Sequence, residues 1–140
     1  MKRCLVVAAL ALLAVAGMLA AQETFKTRLA PVPIDAQLAP VITGHGSASA
    51  ALAGNKLTIT GTFEGMHSPA TAAHLHESKM TGVRGVEIHE LTVSKSAAGN
   101  VSGSVELTPA EVTALRKGLL YIVVHSEGAP DGNLWGWLLK

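Results

Sequence analysis

The side chains of this 140-residue chain best equipped for chemistry are its six histidines. Two of them stand in His74-Leu75-His76, and residues two apart on a strand point to the same face. Two imidazoles placed side by side in this way can share one metal ion. A third, His125, ends the run Tyr121-Ile122-Val123-Val124-His125, which is apolar on both faces and so belongs inside a sheet. If that strand neighbours the first in register, His74, His76 and His125 converge as three nitrogen ligands. An all-nitrogen, thiolate-free set suits copper(II) or zinc, with copper preferred. His67, before Ser68-Pro69, and His89 are the candidates for a fourth ligand. The plainer reading stands beside this one: an isolated His-x-His pair arises by chance, and a histidine ending a strand is commonly a satisfied rim residue. His45, between two glycines, reads as an exposed turn residue. His89, alternating with Glu87 and Leu91, reads as a solvent-facing polar side chain.

Several enzyme classes are excluded by what surrounds these residues. Glu77 follows His76 at once, too early for a metal-binding cupin. A zinc deaminase needs Pro-Cys-x-x-Cys, and the one cysteine here is Cys4. There is no Gly-x-Ser-x-Gly and no phosphate-binding glycine loop. The length allows one domain and rules out two-lobed enzymes.

The elements that must position the histidines read as strands. Lys56 to Glu64 alternates, with Leu57, Ile59 and Phe63 on one face and Thr58, Thr60, Thr62 and Glu64 on the other. Gly54-Asn55 is a hairpin signal that makes 44–52 the preceding strand. Further strands are predicted over 71–77, 86–93, 101–107, 119–126 and 133–139, separated by Gly, Asn, Asp and Pro at the spacing of a sandwich or barrel. One helix interrupts them: Thr108-Pro109-Ala110-Glu111 is a capping box with proline at the first helical position, and Gly118 is the stop. The fold expected is all-β, an antiparallel Greek-key sandwich with one short helix. Residues 22–43, holding Pro31, Pro33 and Pro40, read as an extended linker before a domain at 44–140. On the last strand Trp135 and Trp137 share a face with Leu139, opposite Leu134 and Leu138. The two tryptophans are expected to form a partner or membrane-interface surface.

Hydrophobic residues make up 49% of the chain and charged ones 15%, and much of that excess sits at the front. Lys2 and Arg3 precede an uncharged stretch from Cys4 to Ala21, the pattern of a signal peptide or an uncleaved membrane anchor helix over residues 1–21. Cleavage after Ala21 would place Leu19 at −3, where a small residue is preferred. The expected location is periplasmic or secreted, with the membrane touched through residues 1–21 where they are retained. Nine basic residues then face ten acidic ones beyond residue 21, so no basic stripe offers itself to nucleic acid. Without a cysteine the exported domain has neither disulfide nor thiolate, and its size allows a core without staples.

Thr71-Ala72-Ala73-His74-Leu75-His76, then Leu115 to Ser126, then Pro130-Asp131-Gly132-Asn133-Leu134-Trp135-Gly136 resemble the CHRD domain, the family named from chordin. The resemblance covers roughly 44–140. It implies an immunoglobulin-like β-sandwich in secreted or cell-surface proteins, usually without assigned catalysis. Asn133, Trp135 and Trp137 depart from the family's Glu, Arg and Gln. A fainter resemblance links His74-Leu75-His76-Glu77 and Val123-Val124-His125-Ser126 to the copper strands of copper–zinc superoxide dismutase. It implies His74, His76 and His125 as copper ligands, while the bridging histidine, zinc ligands, disulfide and active-site arginine find no counterparts. Three readings follow: a non-catalytic copper-binding module, an accessory domain of a membrane complex or protein partner with incidental histidines, and a dismutase-like redox enzyme.

Overall fold

In the computed structural model, which describes residues 21–140, eight strands and one helix follow in sequence. They are β1 (Glu23–Pro31), β2 (His45–Ala53), β3 (Lys56–Glu64), β4 (Ala70–Glu77), β5 (Val86–Val93), β6 (Gly99–Glu106), α1 (Pro109–Arg116), β7 (Leu120–Ser126) and β8 (Leu134–Trp137). The expected signal or anchor over residues 1–21 lies outside the described residues, save for Ala21. Among the described residues no helix is long and apolar enough to cross a membrane.

Alternation builds the strands. In β3 Leu57, Ile59 and Phe63 are buried and the threonines between them are exposed. Burial of each such apolar side chain contributes about 1.5–3 kcal/mol. Gly54 turns the β2–β3 hairpin at φ +64°, where a side chain would be strained. At α1 the capping box is complete. Thr108 Oγ1 accepts from the Glu111 N–H (3.2 Å), and Glu111 Oε2 accepts from the Thr108 N–H (2.9 Å). Val112 and Leu115 turn the helix onto the core.

All strand pairs are antiparallel, and the order β1-β2-β3-β6-β5-β4-β7-β8 closes on itself. β4, β5 and β6 are successive neighbours, β7 returns beside β4 and β3 lies beside β6, which is Greek-key connectivity. The all-β antiparallel expectation with one short helix therefore holds, but the open sandwich is corrected to a closed barrel. The reason is visible at the two seams. β5 meets β6 through Thr92↔Ser102 and Val93↔Val101, and β1 meets β8 through Ala30↔Trp135 and Pro31↔Leu134, with a further bridge at Lys26↔Leu139. Two well-paired halves joined by such short seams carry the same inward–outward alternation as a sandwich. Periodicity cannot tell them apart.

The linker expected over 22–43 is also corrected, since its first part is strand β1. Phe25 and Leu29, each 1% exposed, join the main core, and β1 runs seven residues in register against β2. Pro31 is tolerated because it ends the strand, while Pro33 lies in the irregular stretch before the following turn and Pro40 within that turn. Beyond β1, Val32 and Ile42 bury against Ala129 in a second small cluster, and the Asn133 Nδ2 donates to the Thr43 carbonyl (2.8 Å). Strand pairing thus reaches back to Glu23, inside the stretch read as a linker. Gly136 is what lets β8 lie so close to β1, because a Cβ there would collide with Thr27 and the Arg28 carbonyl.

Candidate metal centre

β4 lies between β5 and β7, and β7 between β4 and β8. On β4 Ala73 and Leu75 are fully buried, so the alternate residues His74 and His76 stand on the outer face of the barrel. On β7 Ile122 and Val124 enter the core, leaving Tyr121, Val123 and His125 on the outer face. That face is nevertheless covered: Tyr121 is 1% and Val123 3% exposed. Two loops close over it. Arg84 Nη1 donates to the Asp131 carbonyl (2.9 Å), linking the β4–β5 loop to the β7–β8 loop. The Gly85 N–H donates to the Tyr121 hydroxyl (2.7 Å). The doubly apolar β7 is central, as its sequence predicts.

The three histidines meet there. One ring nitrogen from each of His74, His76 and His125 lies within 4.8 Å of the others, and all three residues are half-buried. A shared ion at the usual 2.0–2.1 Å metal–nitrogen distance would need separations of about 3–4 Å, a small contraction. His74 Nδ1 and His125 Nε2 are already 3.0 Å apart. His125 Nδ1 donates to the Pro130 carbonyl (2.8 Å), because a carbonyl can only accept. Its Nε2 is therefore the acceptor when the ring is neutral, and His74 Nδ1–H donates to it. An ion bound by both rings would displace that proton.

Two of the three second nitrogens have outer contacts of the kind that orient metal ligands. His125 Nδ1 is held by Pro130, and His74 Nε2 faces Glu87 Oε1 at 3.4 Å. Both ring nitrogens of His76 are buried without a hydrogen-bond partner, the Gly85 carbonyl lying near but outside bonding geometry. Leaving a buried polar group unsatisfied costs about 1–3 kcal/mol, a cost that an ion at this nitrogen cluster relieves. Burial holds the His76 pKa below 6.5, and the neighbouring His125 and His74 push the same way against the Gly85 carbonyl. Burial likewise lowers the pKa of His125, opposed by the Pro130 carbonyl. Both rings are thereby kept in the neutral, metal-competent form.

Neither candidate for a fourth ligand joins the cluster. His67 is exposed in the β3–β4 loop. His89 Nε2 lies 3.1 Å from Glu111 Oε2, so its half-buried ring braces the α1 cap and is not the solvent-facing residue expected. A β-bulge accounts for this. The β4–β5 register shifts between Leu75 and His76, so that Leu75 opposes His89 while His76 opposes Glu87. Strict alternation would put Glu87 and His89 on one face; the bulge sends Glu87 to the histidines and His89 to the helix. Glu87 was thus hidden from sequence reading, as were the two carbonyls, whose positions depend on loop closure.

An aromatic cluster adjoins the centre. The Tyr121 ring lies 5.1 Å from that of His76 and stacks on Trp137 at 4.3 Å, with Trp135 edge-on at 5.9 Å. Leu134 and Leu138 are the core face of the terminal segment, and the tryptophans are half-buried on its outer side. Elsewhere, a cleft of about 710 Å³ over β1, β2, β3 and β6 is lined by hydroxyls such as Ser49, Thr60 and Ser102 and includes none of the histidines.

No curated protein and no solved structure matches the chain. The family model of the CHRD domain matches residues 28–138, from within β1 to just past β8. The histidine strand, its β7 partner and the closing strand all fall inside that span, and the chain belongs to the CHRD domain family.

Proposed function

We propose that this chain is an exported, non-catalytic module that holds one metal ion, copper in preference to zinc, on His74, His76 and His125. The observation that carries the reading is the convergence of three half-buried ring nitrogens, with the two nitrogens of His76 left unpaired. Incidental histidines would have no reason to bear that desolvation cost. Nitrogen-only ligands favour copper(II) over zinc by the usual order of affinities. The basic start and apolar stretch of residues 1–21 support delivery to the periplasm or beyond. The carboxylate that faces these histidines is that of Glu87, 3.4 Å from His74 Nε2.

Copper(II) titration followed by electron paramagnetic resonance tests this. One equivalent should give a type 2 signal with nitrogen hyperfine structure. Each single substitution, His74→Ala, His76→Ala or His125→Ala, should weaken binding at least tenfold, or ~1.4 kcal/mol. Unchanged affinity in all three variants would remove the site, and the accessory-domain reading would replace it.

A further inference from the structure

Between the outer faces of β1 and β8 lies an open cleft of about 410 Å³. Its walls are Lys26, Thr27 and Arg28 of β1 and Trp135 and Trp137 of β8, with Gly136 between the indoles. That volume falls in the range of small-ligand sites.

Its aromatic wall is fixed in advance. Trp137 stacks on Tyr121 with 29° between the planes, Tyr121 is tied to the Gly85 N–H, and Trp135 stands edge-on to both. A ligand ring laid on these indoles orders little that is not already ordered. The charge is one-sided as well. Lys26 and Arg28 are exposed, and among the described residues neither has a carboxylate within ion-pair distance. Arg84, whose guanidinium lies 5.9 Å from the Trp135 ring centre, has none either. Glu23, the acidic residue of β1, is engaged by Arg116 (2.6 Å) and Lys140 (2.8 Å). No acidic side chain lines the cleft. In a domain of nine bases and ten acids, this is a local excess of unpaired positive charge beside a rigid aromatic platform.

We propose that the cleft binds a ring-shaped carboxylate, its ring against Trp135 and Trp137 and its carboxylate between Lys26 and Arg28. Arginine offers a carboxylate paired donors in a fixed plane, and lysine adds a point charge. A uronate residue of an acidic glycan and a free aromatic acid both carry this chemistry. The proposal does not depend on a metal ion.

The test follows the two indole N–H signals of the metal-stripped protein by nuclear magnetic resonance, since the chain has two tryptophans. The probes are a galacturonate trimer and 4-hydroxybenzoate, each beside its uncharged counterpart, the trimer methyl ester and 4-hydroxybenzamide. At least one acid should shift both indole signals saturably, with a Kd at or below about 1 mM, and its neutral counterpart should bind at least tenfold more weakly. Saturation by the trimer alone assigns a glycan, and by 4-hydroxybenzoate alone a free aromatic acid. Trp137→Ala should abolish the response but disturbs the packing of Tyr121. The deciding variant is therefore Lys26→Gln/Arg28→Gln, confined to exposed side chains, which should weaken binding at least tenfold with an unchanged melting temperature. Equal binding of acid and neutral probes, persistence of binding in that double variant, or no saturable shift up to about 10 mM of either acid would overturn the proposal.

Discussion

His74 and His125, 51 residues apart in the chain, face each other across the β4–β7 pair with Nδ1 and Nε2 3.0 Å apart. The two are not directly opposed in register; His125 pairs with Ala72 and His74 with Val123, so the rings meet diagonally on one face. An ion in place of the shared proton would require only a small movement of the rings. A centre prepared in this way needs little reorganisation, and its outer contacts become the sensitive parts.

Glu87 is the first of these. Its Oε1 faces Nε2 of His74 at 3.4 Å, the nitrogen left outward when Nδ1 is turned to the cluster. Glu87→Ala should weaken copper(II) binding by about 10–100-fold, the usual cost of losing such an orienting contact. Glu87→Gln, which keeps an acceptor and drops the charge, should lose less. Competition against a chelator of known affinity measures both, and an alanine variant as tight as the parent would remove Glu87 from the centre.

Stability of the metal-free protein should depend on pH through His76 and His125. Both pKa values are lowered in the folded state, from 6.5, so the unfolded chain binds more protons in the window below that value. Stability should therefore be unaffected by these groups above 6.5 and fall as the pH drops below it, toward their native values. Urea unfolding between about pH 5 and pH 8 measures the slope. A His125→Gln variant should show a shallower fall; an identical slope would mean that other groups carry it.

Phe25 decides whether β1 is structural. Fully buried in the barrel core, it should cost about 3–5 kcal/mol on truncation to alanine. Chemical denaturation of Phe25→Ala reads this directly. A loss near zero would restore residues 22–43 to the role of a tether.

Copper-loaded protein should be a poor superoxide dismutase. Fast turnover of an anion uses positive steering, worth about 10–1000-fold in rate. Here residues 22–140 carry nine bases against ten acids, and the Glu87 carboxylate stands 3.4 Å from the His74 ring. Catalysis should fall at least ~100-fold short of the diffusional ceiling of about 10⁹ M⁻¹s⁻¹. A cytochrome-reduction assay checks it, and turnover near that ceiling would move the protein to the enzyme class.

Local periodicity and turn chemistry determined most of the strands, because an antiparallel strand with one buried face writes its burial into alternate residues. The β3 span Lys56–Glu64, the capping box at Thr108 and the same-face pair His74 and His76 were all legible in this way. So was the central place of β7, since a strand apolar on both sides must be covered on both. Three things were decided by tertiary structure. β1 was masked by Pro31 at its end and the prolines beyond it, and its strand character comes from pairing with β2 and burial of Phe25 and Leu29. Barrel closure rests on two short seams between strands distant in sequence, where alternation looks the same whether a sheet closes or stays open. The choice of Glu87 over His89 as neighbour to the histidines hangs on one bulge opposite Leu75 and His76. A register shift of one residue exchanges the faces of everything beyond it, and it leaves no mark in composition or spacing.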